Sequence, residues 1–235
     1  FIDDIKAFED NVSIISSLNY TIASQENKEV KLPVTIKVNR SIILLPDEEH
    51  MMRSRISDPR IGFFTTVKQN ISVKRDGSKY VYFMNRWNVQ PKDMEAYKRG
   101  ELVEPVKPIV FYIDNTFPAE WKKAIHAGVL EWNAAFEKIG FKNVMQAKDF
   151  PMDDPEFDPD NLKYSCVRYA PTWMANAMGP SWTDPRTGEI INASVYIYHN
   201  LISLLYNWRF IHTAAADPDV RYKILPEQVM GEAIR

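Results

Sequence analysis

The fold is decided by residues 107–141, which read KPIVFYIDNTFPAEWKKAIHAGVLEWNAAFEKIGF. The continuously apolar run 107–114 is typical of a buried strand, and Pro118 stands where the first residue of a helix accepts proline. Beyond it, apolar residues recur at spacings of three and four. This periodicity predicts a helix that ends at Gly140 and carries one buried stripe, formed by Trp121, Ile125, Val129, Trp132, Phe136 and Ile139.

The residues that follow extend this unit into a sheet. Strands are predicted around 144–147, over 163–169 and over 190–199, and residues 171–182 are expected to be irregular. A strand–helix–strand order is typical of a twisted sheet that is covered by helices. Two more helices are predicted, over residues 200–216 and 227–235.

The first third of the chain indicates strands. Residues 19–24 and 30–40 alternate apolar and polar side chains, as half-buried strands do. Residues 71–75 and 79–87 flank Asp76-Gly77, a pair typical of a tight hairpin. The predicted fold class is therefore α+β. A β-rich accessory domain with its linker occupies residues 1–104, and a mixed twisted sheet with packed helices occupies residues 105–235.

Composition excludes several classes of function. The net charge is −2 and the isoelectric point is about 6.1, so no basic field exists that would attract nucleic acid. No apolar run is long enough for a transmembrane segment. The single cysteine, Cys166, excludes an internal disulfide and a cysteine-rich zinc site, and we expect a buried, unreactive thiol.

Residues with catalytic or metal-binding chemistry are sparse. None of the four histidines stands four residues from another, and no H-E-x-x-H motif is present, so we assign no metal ligand and no catalytic residue within the chain. His126 is interpreted as a surface or boundary histidine. The acidic stretch 149–160 suits either a calcium site or a solvated loop. The solvated loop is favoured, because a glycine at the turn and a glutamate in register are missing.

Several ordered motifs resemble a known family. They are DPRIGFF at 58–64, Arg86-Trp87, EPVKPI at 104–109, GVLEWNAAFEKIGF at 128–141 and DPRTGEI at 184–190. Together they resemble large, exported bacterial zinc-dependent metallopeptidases of metzincin type. The resemblance spans most of the chain and implies a zincin-like N-terminal subdomain over residues 105–235. It also implies an exported location, either periplasmic, at the cell surface or secreted.

In that family, a helix after the D-P-R-T-G-E-I strand carries the motif H-E-x-x-H-x-x-G-x-x-H. Two of its histidines bind zinc, and its glutamate activates water. The helix that begins near Glu227 should be that helix, so the motif is expected within roughly ten residues after Arg235. The resemblance therefore implies zinc in the full-length parent, none in this chain, and a front fragment that is inactive alone.

The resemblance also implies where a peptide or protein substrate binds. In metzincins an edge strand before the zinc helix pairs with the main chain of an extended substrate. We expect this strand to be 193–198, and the substrate-binding residues to be Ala193, Val195, Ile197 and His199. Two alternatives stay open: a non-catalytic peptide- or glycan-binding module on the same scaffold, and a purely structural domain of a larger surface protein.

Overall fold

A computed structural model describes residues 1–24, 29–72, 74–75, 77–221 and 227–235. The chain divides into two compact units, one of residues 1–49 with 156–163 and the other of residues 50–155 with 164–235. The predicted α+β class is confirmed: the N-terminal part is rich in strands, and helices pack on a mixed sheet farther along the chain. The domain boundary expected at residues 104/105 lies within the second unit and stays a prediction.

The first unit is a three-stranded antiparallel sheet. Its strands are β1 (Ile2–Ala7), β2 (Asn11–Ala23) and β3 (Lys31–Ile43), in the order β1-β2-β3. The two predicted strands are confirmed, although both are longer than the alternation suggested. Pro33 fits within β3 because an edge strand leaves one row of N–H groups outside the ladder.

Residues 156–163 belong to this same unit and are held by a lysine. The Lys6 ammonium donates to Asp158 at 2.9 Å and to Asp160 at 3.0 Å, and these hydrogen bonds raise the pKa of Lys6. The Asn11 side chain donates to the Asp160 carbonyl and accepts from the Leu162 N–H. Residues 152–156 are exposed, as the favoured solvated loop predicts, whereas Asp158 and Asp160 depart from it because both carboxylates are half-buried and paired with Lys6.

The second unit begins with a two-stranded ribbon. Strands β4 (Thr65–Asn70) and β5 (Lys79–Met84) pair antiparallel. The prediction of a strand over 71–75 is wrong for residues 71, 72, 74 and 75, and Val73 lies outside the described residues. The β-branched residues Thr66 and Val67 lie opposite Phe83 and Tyr82 and fix the pairing earlier in the chain. Asp76 of the predicted turn lies outside the described residues, and Gly77 has the expected positive φ of 68°.

The main sheet of the second unit has six strands within the described ranges: β6 (Ile109–Ile113), β7 (Met145–Asp149), β8 (Ser165–Ala170), β9 (Ala177–Met178), β10 (Ser181–Thr183) and β11 (Ile190–Tyr198). Their order is β10-β11-β8-β6-β7, and β9 pairs with β11 beside β10. Strands β7, β6, β8 and β11 are mutually parallel, whereas β9 and β10 run antiparallel to β11. The helices of this unit are α1 (Met94–Lys98), α2 (Ala119–Glu131), α3 (Asn133–Glu137), α4 (Leu201–Thr213), a 3₁₀ turn (Pro218–Arg221) and α5 (Glu227–Ile234).

The core forms around the interior strand β6, which lies between β8 and β7. Ile109, Phe111 and Ile113 are buried, together with Val144 and Val167 on neighbouring segments. Such a strand reads as a continuous apolar run because both faces of a parallel sheet are covered. Cys166 is fully buried, as expected.

The predicted helix 118–139 is broken after α2. Ile125 is buried and Phe136 packs against the core, but Trp132 is 64% exposed and Ile139 is 58% exposed, so the predicted stripe is wrong at these two positions. The break coincides with Asn133, whose side chain donates to the Met145 carbonyl and accepts from the Met145 N–H, both at 2.9 Å. Gly140 ends α3 with a φ of 91°, as predicted.

Arg235, which follows α5, lies close to α2 at Gly128. A Cβ atom at Gly128 would lie 2.6 Å from the Arg235 carbonyl oxygen, so the lack of a side chain permits this close approach. None of the helices in the described ranges combines the length and the hydropathy needed to cross a lipid bilayer.

Alanine substitutions should lower the free energy of unfolding much more at a buried core position than at the exposed end of the predicted stripe. Ile113→Ala should lower the free energy of unfolding by about 2–5 kcal/mol, because Ile113 is fully buried. Ile139→Ala removes the same atoms from an exposed site and should change it by about 0.5 kcal/mol or less. Urea unfolding followed by circular dichroism checks both values, and equal losses would refute the assignment of the core.

Candidate functional site

The structure separates the four predicted substrate-binding residues. Ala193, Val195 and Ile197 alternate along β11 on one face and pack against the core. His199 follows the end of β11 and is exposed. Three of the four side chains therefore contribute to the core, and only His199 faces solvent at the surface.

Strand β11 is not the edge of the sheet. The Ser194 N–H donates to the Pro180 carbonyl at 3.0 Å, and the Tyr198 N–H donates to the Asn176 carbonyl at 3.3 Å. The expectation of an edge strand over 193–198 is therefore wrong, because residues 176–183 occupy its outer side. The stretch 171–182 was expected to be irregular, but it contains β9 and β10, which are too short for a visible period.

The outer edge of the sheet on this side is formed by β9 and β10. Because Asn176, Met178 and Pro180 face β11, strand alternation turns the N–H and C=O groups of Ala177, Gly179 and Ser181 outward. The Asn176 side chain accepts from the Ala177 N–H at 2.8 Å. Residues 174–181 are all exposed. The main-chain groups of Gly179 and Ser181 are thus available for an additional strand.

The opposite edge, β7, is partly closed by its own chain. The ladder to β6 uses residues 144, 146, 148 and 150, so Met145, Ala147 and Asp149 face outward. The Asn133 side chain takes both main-chain groups of Met145, in the way a neighbouring strand would. The side chain of Asp149 is bound by Lys122 and His126 of α2, at 2.9 Å and 2.7 Å. This edge is therefore less open to an added strand.

A pocket with a volume of about 500 Å³ lies at the carboxyl ends of β8 and β11. His199 is positioned there from two sides. Its Nδ1 lies 2.6 Å from the Tyr169 hydroxyl, and its ring stacks on Trp121 with 5.5 Å between the centroids and 20° between the planes. Ligands of open parallel sheets commonly bind at the carboxyl ends of the strands. We call this cavity the His199 pocket.

Residues 171–173 form the other wall of the His199 pocket. Trp173 is 84% exposed, and the Asn200 amide donates to its carbonyl oxygen at 2.8 Å. Sequence reasoning missed Tyr169, Trp121 and Trp173 as site residues. Trp121 was placed in the helix stripe, and the only available signal for Trp173 was a tryptophan in a stretch without periodicity.

The turn that joins β10 to β11 is built on a buried carboxylate. Asp184 is fully buried and accepts from the main-chain N–H of Arg186 at 2.8 Å and from its guanidinium at 2.7 Å. The hydrogen bond from the Arg186 side chain, aided by the bond from its backbone, holds the pKa of Asp184 below its ordinary value of 3.8 despite burial. We call this set of hydrogen bonds from the arginine to the aspartate two residues earlier a fork. The fork at Asp184 holds the turn that sets the pairing of β10 with β11.

The same fork occurs in an exposed turn. Asp58 and Arg60 have the same D-P-R sequence, and the Arg60 guanidinium donates to Asp58 at 2.6 Å and 2.9 Å. The Arg60 side chain is 86% exposed. The two D-P-R segments therefore share local geometry and differ in burial.

The residues present do not fit a zinc site. Within the described ranges, no group of three or more His, Cys, Asp or Glu side chains converges on a point where a metal ion would sit. His126 pairs with Asp149, and His199 pairs with Tyr169. Desolvation alone would raise the pKa of Asp149. The hydrogen bonds that Lys122 and His126 donate to its carboxylate outweigh this effect, so the pKa is lowered.

Comparison with known proteins covers mainly the N-terminal part. Residues 1–92 match the family model described as Domain of unknown function (DUF5117). The match ends before the six-stranded sheet begins at Ile109, so it includes neither the outer edge nor the His199 pocket. No curated protein and no solved structure matches the chain.

Replacement of Asp184 should expose the difference between the two D-P-R turns. Asp184→Asn should lower the free energy of unfolding at neutral pH by about 1–3 kcal/mol, because it removes a buried charge-assisted hydrogen bond. A depressed pKa stabilises the fold above the ordinary value of 3.8, and this stabilisation is lost as the pH falls through the folded value. The difference between the variant and the native chain should therefore shrink below about pH 4.

Asp58→Asn is the matched control, because it removes the same fork from an exposed turn. Its loss should be smaller at every pH. Urea unfolding between pH 3 and pH 7 provides the measurement. A difference for Asp184→Asn that stays constant over this range would contradict the role assigned to its carboxylate.

Proposed function

We propose that this chain is the front portion of a zinc-dependent metallopeptidase and supplies the sheet edge along which an extended peptide substrate lies. The observation that supports this most directly is the outer edge formed by β9 and β10, where Gly179 and Ser181 present outward main-chain groups. The motif resemblance supports the zinc-peptidase class. Export of the protein is part of the same proposal, and nucleic acid is not among the expected partners.

Peptide binding on this edge follows from strand addition. An extended peptide forms main-chain hydrogen bonds with an exposed strand whatever its sequence, and pockets beside the strand then select side chains. The proposal moves the main-chain contact from 193–198 to residues 177–181. Ala193, Val195 and Ile197 take a supporting role, because they anchor β11 in the core beneath that edge.

Zinc belongs to the parent protein in this proposal. The described side chains offer no converging ligand set, so the ligands come from the H-E-x-x-H-x-x-G-x-x-H motif that the resemblance places after Arg235. When bound, zinc supplies an activated water for peptide hydrolysis. The residues of this chain bind and orient the substrate.

The alternative function is a non-catalytic peptide- or glycan-binding module. It is favoured by the exposed aromatic side chain in the His199 pocket, since exposed tryptophans are typical of binding surfaces. A longer version of the protein distinguishes the two functions. If the longer protein binds the peptide but does not hydrolyse it, the module is the correct description. If it hydrolyses the peptide, and replacement of the motif histidines abolishes the hydrolysis, the peptidase is the correct description.

Ser181→Pro tests the edge directly. It removes an outward N–H group while leaving the bonds to β11 intact, because Ser181 does not donate to that strand. We expect it to weaken the binding of a fluorescein-labelled, Thr- and Val-rich nonapeptide at least about fivefold, as loss of a hydrogen bond and a steric clash predict. Fluorescence anisotropy measures the dissociation constant.

Ser181→Ala is the matched control, because it shortens the same side chain and keeps the N–H group. It should bind the peptide like the native chain. Circular dichroism must show the same fold for both variants. Equal affinities of Ser181→Pro and Ser181→Ala would overturn the proposed edge.

The zinc assignment is tested on the chain itself. After dialysis against zinc-free buffer, residues 1–235 should retain far less than one zinc per chain and should not cleave casein. Atomic absorption and a fluorescent casein assay provide the readouts. Stoichiometric zinc retained by this chain would refute the placement of the ligands beyond Arg235.

A further inference from the structure

We propose that the His199 pocket is a subsite for an aromatic side chain of the bound peptide, located on the carboxyl side of the stretch that pairs with the outer edge. This inference rests on the proposed function and names the class of substrate: peptides with Phe, Tyr or Trp just after an extended segment. Three observations support it. The His199 ring is held in place although it is exposed, the pocket lining carries no charged side chain, and the pocket lies within reach of the outer edge.

His199 is ordered although it is exposed. The Tyr169 hydroxyl at Nδ1 and the stack on Trp121 hold the imidazole from two sides. Tyr169 is fixed in turn by Phe117, which is buried, with 5.2 Å between their ring centroids. The core therefore supports a ring that contributes little to core packing, as is typical of a side chain positioned to contact a ligand.

Trp173 completes the pocket with an aromatic surface that the fold does not cover. Its side chain is 84% exposed, while its backbone is tied to Asn200 by a hydrogen bond of 2.8 Å. The backbone of Trp173 is thus fixed beside the His199 pocket. A ring inserted in the pocket would contact Trp173 and His199, and aromatic pairs stabilise a complex by about 0.5–1.5 kcal/mol beyond area burial.

The lining favours a neutral occupant. Among the described residues, those that line the pocket include no Asp, Glu, Lys or Arg. A charged side chain would lose hydration there without gaining an ionic partner. The volume of about 500 Å³ leaves room for an indole or a phenol.

The position of the pocket defines which end of the peptide reaches it. A peptide that pairs antiparallel with β9 and β10 runs parallel to β11, so its carboxyl end points toward His199. The chain from Trp173 to Asn176 is three residues long and spans at most about 10 Å. A residue just beyond the paired stretch is therefore within reach of the His199 pocket.

Trp173→Ala tests the subsite, because removal of an exposed side chain leaves the fold intact. The probes are two fluorescein-labelled, Thr- and Val-rich nonapeptide sets that carry Phe or Ala at one of the last three positions. The native chain should bind the best Phe peptide about tenfold more tightly than its Ala counterpart. Trp173→Ala should remove this preference by weakening the binding of the Phe peptide.

Trp132→Ala is the matched control, because it removes a tryptophan that is 64% exposed and lies outside the pocket. It should keep the preference for Phe. If neither peptide binds, or if Ser181→Pro has no effect, the proposed function fails. If both peptides bind through Ser181 with equal affinity, only the subsite fails.

A glycan is the competing occupant. Xylohexaose and chitohexaose should not displace the Phe peptide in the same anisotropy assay. Displacement by either sugar that is lost in Trp173→Ala would overturn the aromatic subsite and assign the pocket to glycan binding.

Discussion

Burial of the interior strand β6 is the constraint on which the second unit depends. Parallel neighbours on both sides require crossover connections, and α2 is the crossover that returns the chain from β6 to β7. Because β6, β8 and β11 point the same way, their carboxyl ends lie together. Tyr169 and His199 therefore meet there, and α2 brings Trp121 onto the same cluster.

The two edges of the six-stranded sheet differ in whether their outward main-chain groups are bound by the rest of the chain. On β7, the Asn133 amide takes the main-chain groups of Met145, and the same contact accompanies the break between α2 and α3. On β9 and β10, the groups of Gly179 and Ser181 face outward beside exposed residues. Exposed edges invite pairing with other chains, so proteins usually protect them. The shortness of β9 and β10 and the proline between them limit such pairing, whereas the outward groups of Gly179 and Ser181 leave room for a short added strand.

The repeated D-P-R sequence illustrates how burial changes the value of one motif. Both aspartates form the same fork with the arginine two residues later. Around Asp58 the fork is solvated, whereas Asp184 is fully enclosed and fixes the turn between β10 and β11. The D-P-R motif therefore predicts the turn from sequence. How much the turn contributes to the free energy of unfolding depends on how deeply the rest of the chain buries it.

Local order was sufficient to predict the apolar strand at 109–113, the helix after Pro118, the end at Gly140 and the long strand 190–198, because each has a period or a terminal signal. Packing decided the rest. Strands of two and three residues are too short to show a period, so the sequence could not predict β9 and β10. The prediction therefore placed the edge of the sheet on β11. The His199 pocket joins residues that are distant in sequence, and only the parallel order of the strands brings Trp121, Tyr169 and His199 together.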